Sequence, residues 1–251
     1  MFKVRRPLAQ LAMMLTLAAL LAVTISCHHP TKPCVIAGPG VGNGPVVLPT
    51  LLGGAQSFVI LAGSTVTNTG ATTTIVGNVG VSPGSAIIGI PSGQPTGGTV
   101  HAGNATASNA QAGLTLAYND LTGRACNATI ANSQLGGVTF YTGVYCWSGS
   151  AQLTGAVTCD AQGDPNAVFV FKIGSTLTTA SAASVVLTGG ALARNVYWVV
   201  GSSATIGIGT AMRGNILAQA SITLTTGVNL SGRALARVAA VTLDSDAVAL
   251  P

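Results

Sequence analysis

The chain has few charged and few aromatic side chains for its length of 251 residues. Charged residues make up 6% and aromatic residues 4%, glutamate is absent, and the sequence contains only five Asp and three His. Paired catalytic carboxylates and zinc sites need side chains that this composition hardly supplies. We therefore predict that the protein is not an enzyme and that it uses no metal or other cofactor.

Long apolar runs are also lacking after residue 26, although the mean hydropathy is high at +0.59. Gly, Thr, Ser and Asn break the apolar residues into short runs. A helix that spans a bilayer needs about 20 consecutive apolar residues. We therefore expect no membrane-spanning segment beyond residue 26.

Basic residues outnumber acidic ones, but their pattern is not typical of nucleic-acid binding. Lys3, Arg5 and Arg6 lie at the N-terminus, and the seven other cations are scattered singly along the chain. Without the first three, the formal net charge falls from +5 to +2. A nucleic-acid site needs clustered cations, so we expect no nucleic-acid partner.

The N-terminal region has the pattern of an export signal. Residues 1–26 combine this basic start with an apolar stretch, as secretory signals do. Ser26 and Cys27 resemble the end of a bacterial lipobox, in which Cys27 would carry a lipid; ordinary cleavage and release is the alternative. Residues 27–50 are rich in Pro and Gly, and we interpret them as a tether. We expect an extracellular or outer-surface protein of a bacterium, in contact with the membrane only through a lipid at Cys27.

Export would allow the cysteines to form disulfides. Cys126 and Cys146 flank a segment that looks like a loop leading into a strand, and we predict that these two residues pair. The sequence leaves two possibilities for Cys34 and Cys159, which either pair with each other or stay free.

The chain repeats itself. FVILAGSTVTN at 58–68 and FVFKIGSTLTT at 169–179 agree at six of eleven positions, and Thr205, Thr223 and Thr242 follow one another at steps of 18 and 19. About 18 residues are enough for one coil of three short strands and three corners. Gly and Asn, which recur between the apolar runs, suit tight corners. The repeats therefore predict a mostly β fold, a β-solenoid.

One segment, at about 104–123, departs from this pattern. An apolar stripe at helical spacing is formed there by Ala110, Leu114, Ala117 and Leu121. Such a stripe predicts a helix that packs along one face of the sheets. Thr106 or Ser108 is the expected N-cap, and Gly123 the expected end.

Seven motifs follow one another from about residue 51 to the C-terminus. They are LAGSTVTNTGATTTIVGNVGVSPG (61–84), His101-Ala102, AYNDLTGR (117–124), LGGVTFYTGVYCW (135–147), DAQGDPNAVFVFKIGSTLTTAS (160–181), RNVYWVVGSSATIG (194–207) and GRALARVAAVTLD (232–244). In this order they resemble the microbial ice-binding-like domain family. The resemblance implies that residues 51–251 form a right-handed, discontinuous β-solenoid of triangular section with one long α-helix packed alongside.

The same resemblance implies a function and a site. Characterised members bind ice, so we expect an antifreeze-type protein that inhibits recrystallisation, gives moderate thermal hysteresis or adheres to ice. In this family a Thr-(Ala/Gly)-x-(Thr/Asn) motif often marks the ice-binding face; it is complete at 69–72 and 226–229 and incomplete at 179–182 and 208–211. The implied face contains Thr69, Thr72, Thr179, Ile208, Ala211, Thr226 and Asn229.

Threonine also suits ice on physical grounds. Neighbouring strands lie about 4.7–4.9 Å apart, a spacing close to oxygen repeats on ice planes, and threonine presents both a methyl group and a hydroxyl. We expect a monomer whose partner is the ice crystal surface. The alternative is a cell-surface adhesion or matrix module of the same fold without ice affinity, which Ile208 and Ala211 favour because they replace polar positions of the motif.

Overall fold

The computed structural model describes residues 51–251 and, before them, the backbone of the strand Cys34–Ile36. The predicted signal, Cys27 and the rest of the tether lie outside the described residues. The described part contains 22 strands and one α-helix, and all of its paired strands are parallel. The predicted mostly β fold with one helix is confirmed. No helix in this part is long and apolar enough to cross a membrane.

One row of strands lies beneath the helix, and we call it the helix-side row. Its strands are β8 (Ala128–Thr129), β10 (Gly143–Trp147), β13 (Phe169–Ile173), β16 (Val196–Val200), the second halves of β18 (Ala211–Ala218) and β20 (Asn229–Ala236), β2 (Phe58–Ala62), β5 (Asn78–Val81) and β7 (Val100–Ala102).

A second, separate sheet has seven strands. In spatial order they are β11 (Ala151–Leu153), β14 (Leu177–Thr179), β17 (Ala204–Ile206), β19 (Ile222–Leu224), β21 (Val241–Leu243), β3 (Thr65–Asn68) and β6 (Ala86–Ile88).

A third row completes the strand set. It contains β1 (Cys34–Ile36), β9 (Val138–Phe140), β12 (Ala156–Asp160), β15 (Ser184–Thr188), the first halves of β18 and β20, β22 (Ala247–Ala249) and β4 (Thr74–Val76). The strand β1, within the predicted tether, pairs with β9 and extends this row at one end.

The chain returns to the same place in each row after one coil, which takes from 17 to 28 residues, and the shortest steps match the repeat seen in the sequence. Ala204 is paired with Ile222, and Ala211 with Asn229, in both cases 18 residues further on. The order is interrupted once, because β2 from the N-terminal part pairs with β20 from the C-terminal part. Segments far apart in sequence therefore become neighbours in the stack.

The core follows from the alternation of side chains along each short strand. In β17, Ala204 and Ile206 are fully buried while Thr205 between them is exposed. Aromatic residues stack from strand to strand inside, with the Phe171 and Trp198 ring centroids 4.2 Å apart. Each buried side chain thus packs on its counterpart in the next strand, which gives one continuous apolar core.

The helix α1 runs from Ala105 to Gly123 and buries the whole predicted apolar stripe. Its N-cap is Asn104, whose side-chain oxygen accepts the Ala107 N–H at 3.0 Å. The expectation of Thr106 or Ser108 as N-cap was wrong. Asparagine is an equally good cap, and here it lies directly after β7 and a turn at Gly103.

Polar side chains fix the helix on the helix-side row. The Tyr118 hydroxyl donates to the Val200 carbonyl at 3.2 Å, and the Gln111 side-chain amide donates to the Ala236 carbonyl at 3.1 Å. The Arg237 guanidinium lies over the Tyr118 ring, 4.6 Å from its centroid. These contacts set the position of the helix, while the apolar stripe supplies the buried area.

Gly214 and Gly232 lie side by side where the long strands β18 and β20 bend from the third row into the helix-side row. Gly214 has φ of +107°, which favours glycine. A Cβ atom on Gly232 would lie only 1.8 Å from the Gly214 carbonyl oxygen. The bend therefore requires the absence of a side chain.

We expect Gly232→Ala to lower the free energy of unfolding by about 3 kcal/mol or more, because two backbones must separate to admit the methyl group. Urea unfolding followed by circular dichroism measures this. Gly123→Ala is the matched control, since nothing lies within 4 Å of its Cβ position; it should raise stability by about 0.4–1 kcal/mol and not lower it. Equal stability of the two variants would contradict this account of the bend.

Candidate functional site

The outward side of the seven-stranded sheet carries one row of aligned side chains, with one residue from each strand. Strand pairing places these residues next to one another in the order Gln152, Thr178, Thr205, Thr223, Thr242, Thr67 and Ile88. We call this outward side the threonine face, because five consecutive members of the row are threonines. Thr178 and Thr205 are exposed, and Thr67, Thr223 and Thr242 are half-buried.

The geometry of this row comes from the backbone. Adjacent strands lie about 4.7–4.9 Å apart, so the five threonines span about 19 Å. β-branched side chains have restricted χ1 angles and pack well on a pleated surface. The row therefore presents methyl and hydroxyl groups at a regular interval.

A second row lies two residues earlier along the chain, at or just before the start of the same strands, and its side chains are also small and uncharged. The Thr176 hydroxyl donates to the Ser150 hydroxyl at 2.8 Å, and the Ser221 hydroxyl donates to that of Ser203 at 3.0 Å. These bonds run from one strand to the next. They hold the side chains of the second row in fixed positions.

Charge is absent from the seven strands of the threonine face, which contain no Asp, Lys or Arg. The helix-side row is covered by α1, with Leu61, Leu217 and Leu235 buried in the shared apolar cluster. The third row carries Arg213 among its outward residues. In the described part of the chain, the threonine face is the strand surface that is both uncovered by α1 and free of charge.

The predicted site residues occupy a different place from the threonine row. Most of them lie on or beside the turns that connect the seven-stranded sheet to the third row. In this group Ala211 and Asn229 are paired on β18 and β20. Asn229 accepts a hydrogen bond from Arg213 at 3.1 Å. Thr72 and Ile208 are exposed on turns.

Thr179, which the motif assigns to the ice-binding face, has its side chain in the core. It is only 4% exposed, its hydroxyl lies 2.9 Å from that of Thr210, and it accepts the Gly207 N–H at 2.7 Å. Its neighbour Thr178 faces outward. Side chains alternate along a strand, so an error of one residue moves a side chain from one face to the other.

Thr69 and Thr226 do not occupy equivalent positions either. The N–H and hydroxyl of Thr69 both bond to the Leu243 carbonyl, and those of Thr225 both bond to the Ile206 carbonyl. Thr69 therefore corresponds to Thr225, one residue before Thr226. The predicted residues consequently do not form a single row.

The glycines in the two complete motifs have a structural explanation in the turns. A Cβ atom on Gly70 would lie 1.8 Å from the Ser245 nitrogen. Gly227 has φ of +76°, which lies in the left-handed region. In this chain the Thr-Gly-x-(Thr/Asn) motif therefore meets the needs of a tight turn between two sheets.

The threonine row could have been found in the sequence. The spacing of Thr205, Thr223 and Thr242 is visible there, and Thr67 and Thr178 occupy matching places in the repeat of 58–68 and 169–179. What the sequence lacks is a sign that these two patterns join into one row. That follows only from the pairing of Thr178 with Thr205 and of Thr242 with Thr67.

Asp246 is a buried carboxylate in the turn after β21, with 1% of its surface exposed. Burial raises the pKa of Asp246 to about 6 from the usual 3.8; the N–H groups of Asp244 and Val228, which donate to it, lower the pKa, and the nearby Asp244 carboxylate raises it. Asp246 thus ties two successive turns together, but its charge is costly.

His101 lies in a small polar cluster beside the helix N-terminus. Its Nε2 lies 2.8 Å from the Thr99 hydroxyl oxygen, and its Nδ1 lies 3.2 Å from the Asn104 side-chain nitrogen. Because the Asn104 oxygen already caps the helix, its NH₂ group faces the ring, and Nδ1 must accept. Nε2 then carries the proton and donates to Thr99, so the imidazole is not placed to remove a proton from Thr99.

The predicted disulfide joins Cys126 and Cys146. It connects the segment after the helix to β10. Cys159 is fully buried, and burial raises the pKa of its thiol well above the usual range. Within the described residues Cys159 has no disulfide partner.

Comparison with known proteins places this parallel β structure, with its helix and threonine face, among proteins named for binding ice. Residues 60–249 match the Ice-binding-like family. The chain belongs to this family. An ice-binding protein from Nostoc sp. (strain HG1) is 52% identical over 79% of this chain and 73% of its own length. One from Colwellia sp. is 32% identical over 86% of this chain and 89% of its own.

Solved structures agree with this assignment. The crystal structure of an ice-binding protein from an Antarctic biological consortium has a TM-score of 0.79 and 45% identity, covering 86% of this chain and 96% of the other. An ice-binding protein from the Antarctic ascomycete Antarctomyces psychrotrophicus has a TM-score of 0.74 and 37% identity, covering 79% and 97%.

Asp246 leads to a prediction about pH. Its folded-state pKa of about 6 lies above its ordinary value of 3.8, so its contribution to stability is complete below about pH 4 and is lost as the pH rises through 6. We expect the free energy of unfolding to be about 2 kcal/mol lower at pH 7.5 than at pH 4.

Denaturant unfolding at both pH values measures this difference. The dependence should largely disappear in Asp246→Asn and persist in Asp160→Asn, which removes a carboxylate from the end of β12. A wild-type protein that is more stable at pH 7.5 than at pH 4 would show this interpretation of Asp246 to be wrong.

Proposed function

We propose that this protein binds ice, and that the threonine face is the surface that adsorbs to the crystal. The observation that carries the proposal is the in-register row of five threonines, with no charged residue on the seven strands that present it. Membership in the Ice-binding-like family supports the function. The row on this sheet supports the choice of face.

The chemistry of the row suits ordered water. A hydroxyl both donates and accepts hydrogen bonds, so it can join a water layer in either sense. The adjacent methyl groups are weakly hydrated and leave the first water layer free to order. Because all five side chains repeat at one interval, water ordered over one threonine fits the pattern over the next.

The two other strand surfaces are less suited to this role. The helix α1 covers the helix-side row, with Leu114 and Leu121 fully buried in the contact. On the third row the Arg213 guanidinium bonds to Asn229, and a guanidinium only donates hydrogen bonds. A surface with a fixed cation holds its own hydration shell. This favours the threonine face over the turns and the third row that the motif indicated.

We infer that the three rows form the right-handed, discontinuous β-solenoid of triangular section that the resemblance implies. The 18-residue steps in strand pairing support a coil of three strands. The pairing of β2 with β20 supports the discontinuity. A rigid stack of this kind would keep the threonine face flat.

The activity we propose is adsorption by an exported monomer, without catalysis or a cofactor, which inhibits recrystallisation or gives moderate thermal hysteresis or ice adhesion. The disulfide between Cys126 and Cys146 supports an oxidising location outside the cytosol. Anchoring through a lipid at Cys27 belongs to the same proposal. Neither the comparisons nor the structure supports an adhesion module without ice affinity.

Replacing a central threonine tests the face. In the full chain, Thr205→Tyr adds a bulky ring in the middle of the row, which would hold the surface away from the ice. We expect the concentration needed to inhibit ice recrystallisation to rise roughly tenfold, equivalent to about 1.4 kcal/mol of binding. The thermal unfolding midpoint should stay close to that of the unmodified chain, because Thr205 is exposed.

Two further tyrosine variants serve as controls. Thr158→Tyr lies on the third row and should leave the activity unchanged. Thr226→Tyr lies in a turn of the motif; if it weakens activity more than Thr205→Tyr does, the contact surface is the turn region and the threonine face is the wrong choice. An unmodified chain that behaves like serum albumin in the assay would disprove ice binding itself.

A further inference from the structure

A short border row of outward residues lies beside the threonine face, at the point where the strands of that face enter the turns. The border row contains Thr225, Asp244 and Thr69. Each lies two residues after a member of the threonine row and directly after the end of β19, β21 or β3. At these three adjacent positions, Asp244 lies between two threonines. This residue places a carboxylate against the edge of an otherwise uncharged surface.

Thr69 and Thr225 form equivalent hydrogen bonds. In each, the N–H and the hydroxyl both bond to a carbonyl of the preceding neighbour strand, with hydroxyl distances of 3.2 Å from Thr69 to Leu243 and 2.8 Å from Thr225 to Ile206. Their polar groups are therefore directed along the sheet. The regular pattern of the face continues through them.

Asp244 breaks this arrangement. Its N–H donates to the buried carboxylate of Asp246 at 2.9 Å. Its own carboxylate accepts the Thr226 hydroxyl at 2.5 Å and has the Ser245 hydroxyl at 3.4 Å. Asp244 therefore belongs to the hydrogen bonding of the turn, although its position borders the face.

An ionised carboxylate also differs from a hydroxyl in the way it orients the water molecules around it. It only accepts hydrogen bonds, so every water beside it turns a hydrogen toward it. Stripping water from a charge is much more costly than stripping it from a neutral polar group. An ice-like layer, in which each water both donates and accepts, is therefore interrupted at a carboxylate.

We propose that Asp244 is a specificity-determining residue that ends the ice-contacting surface along this edge and limits its area and affinity for ice. The proposal rests on the proposed function, because it assumes that the threonine face adsorbs to ice. It predicts that removing the charge enlarges the contact.

The test uses the full chain with Asp244→Asn, which has the same shape, can still accept the Thr226 hydroxyl, and can also donate. We expect the concentration needed to inhibit ice recrystallisation to fall about twofold or more, a change of roughly 0.4 kcal/mol. Asp244→Thr, which matches its row neighbours, should give at least the same gain. It also serves as the second variant if the first unfolds.

The matched control is Asp164→Asn, which makes the same charge change at an exposed turn between β12 and β13. It should leave activity unchanged. An equal gain from the control would overturn the proposal, because it would show an effect of net charge. Folded Asp244 variants with no gain over an active wild type would also overturn it while leaving the proposed function intact. Inactivity of all the proteins, including wild type, would disprove both.

Discussion

Parallel pairing of strands in register, repeated at every layer of the stack, is the constraint on which the rest of this structure depends. The backbone bonds that join neighbouring strands set their separation at about 4.8 Å. A side chain that recurs in the repeat is therefore copied into a straight row. Inside, this produces stacks such as that of Phe171 on Trp198. On the outside, the same pairing aligns the five threonines in one row. Because strand-to-strand bonds satisfy the backbone throughout, the fold does not need a charged surface to be stable.

The turns have different residue requirements from the strands, and turns and strands adjoin at the edge of the threonine face. A tight turn needs glycine where backbones approach closely, as at Gly70, and it needs acceptors for N–H groups that leave the ladder. Asp246 supplies such an acceptor from a buried position. Asp244 completes the same hydrogen bonding at the surface. The motif that looked like an ice-contact signature therefore combines turn chemistry with a position beside the face.

Much of the fold could be predicted because it depends on local periodicity. The stripe from Ala110 to Leu121 predicts the helix, and the recurring threonines predict the repeating strands. The errors arise where a single residue decides the outcome. Thr179 and Thr178 are both good strand residues, and only strand pairing shows which one faces the core. Likewise, the equivalence of Thr69 with Thr225 depends on hydrogen bonds between strands far apart in sequence.

The sequence by itself determined the class of surface that this protein presents: small, rich in threonine and poor in charge, carried on short strands with a helix alongside. Composition and period suffice for that, because they set which side chains are available and how often each returns. Only the tertiary structure decided which threonines stand together. The pairing of Thr242 with Thr67 joins a C-terminal strand and an N-terminal strand of the described part into one row, and no local signal encodes a contact across that distance. This contact forms because the C-terminal strands leave a free edge, and the N-terminal strands pair with that edge.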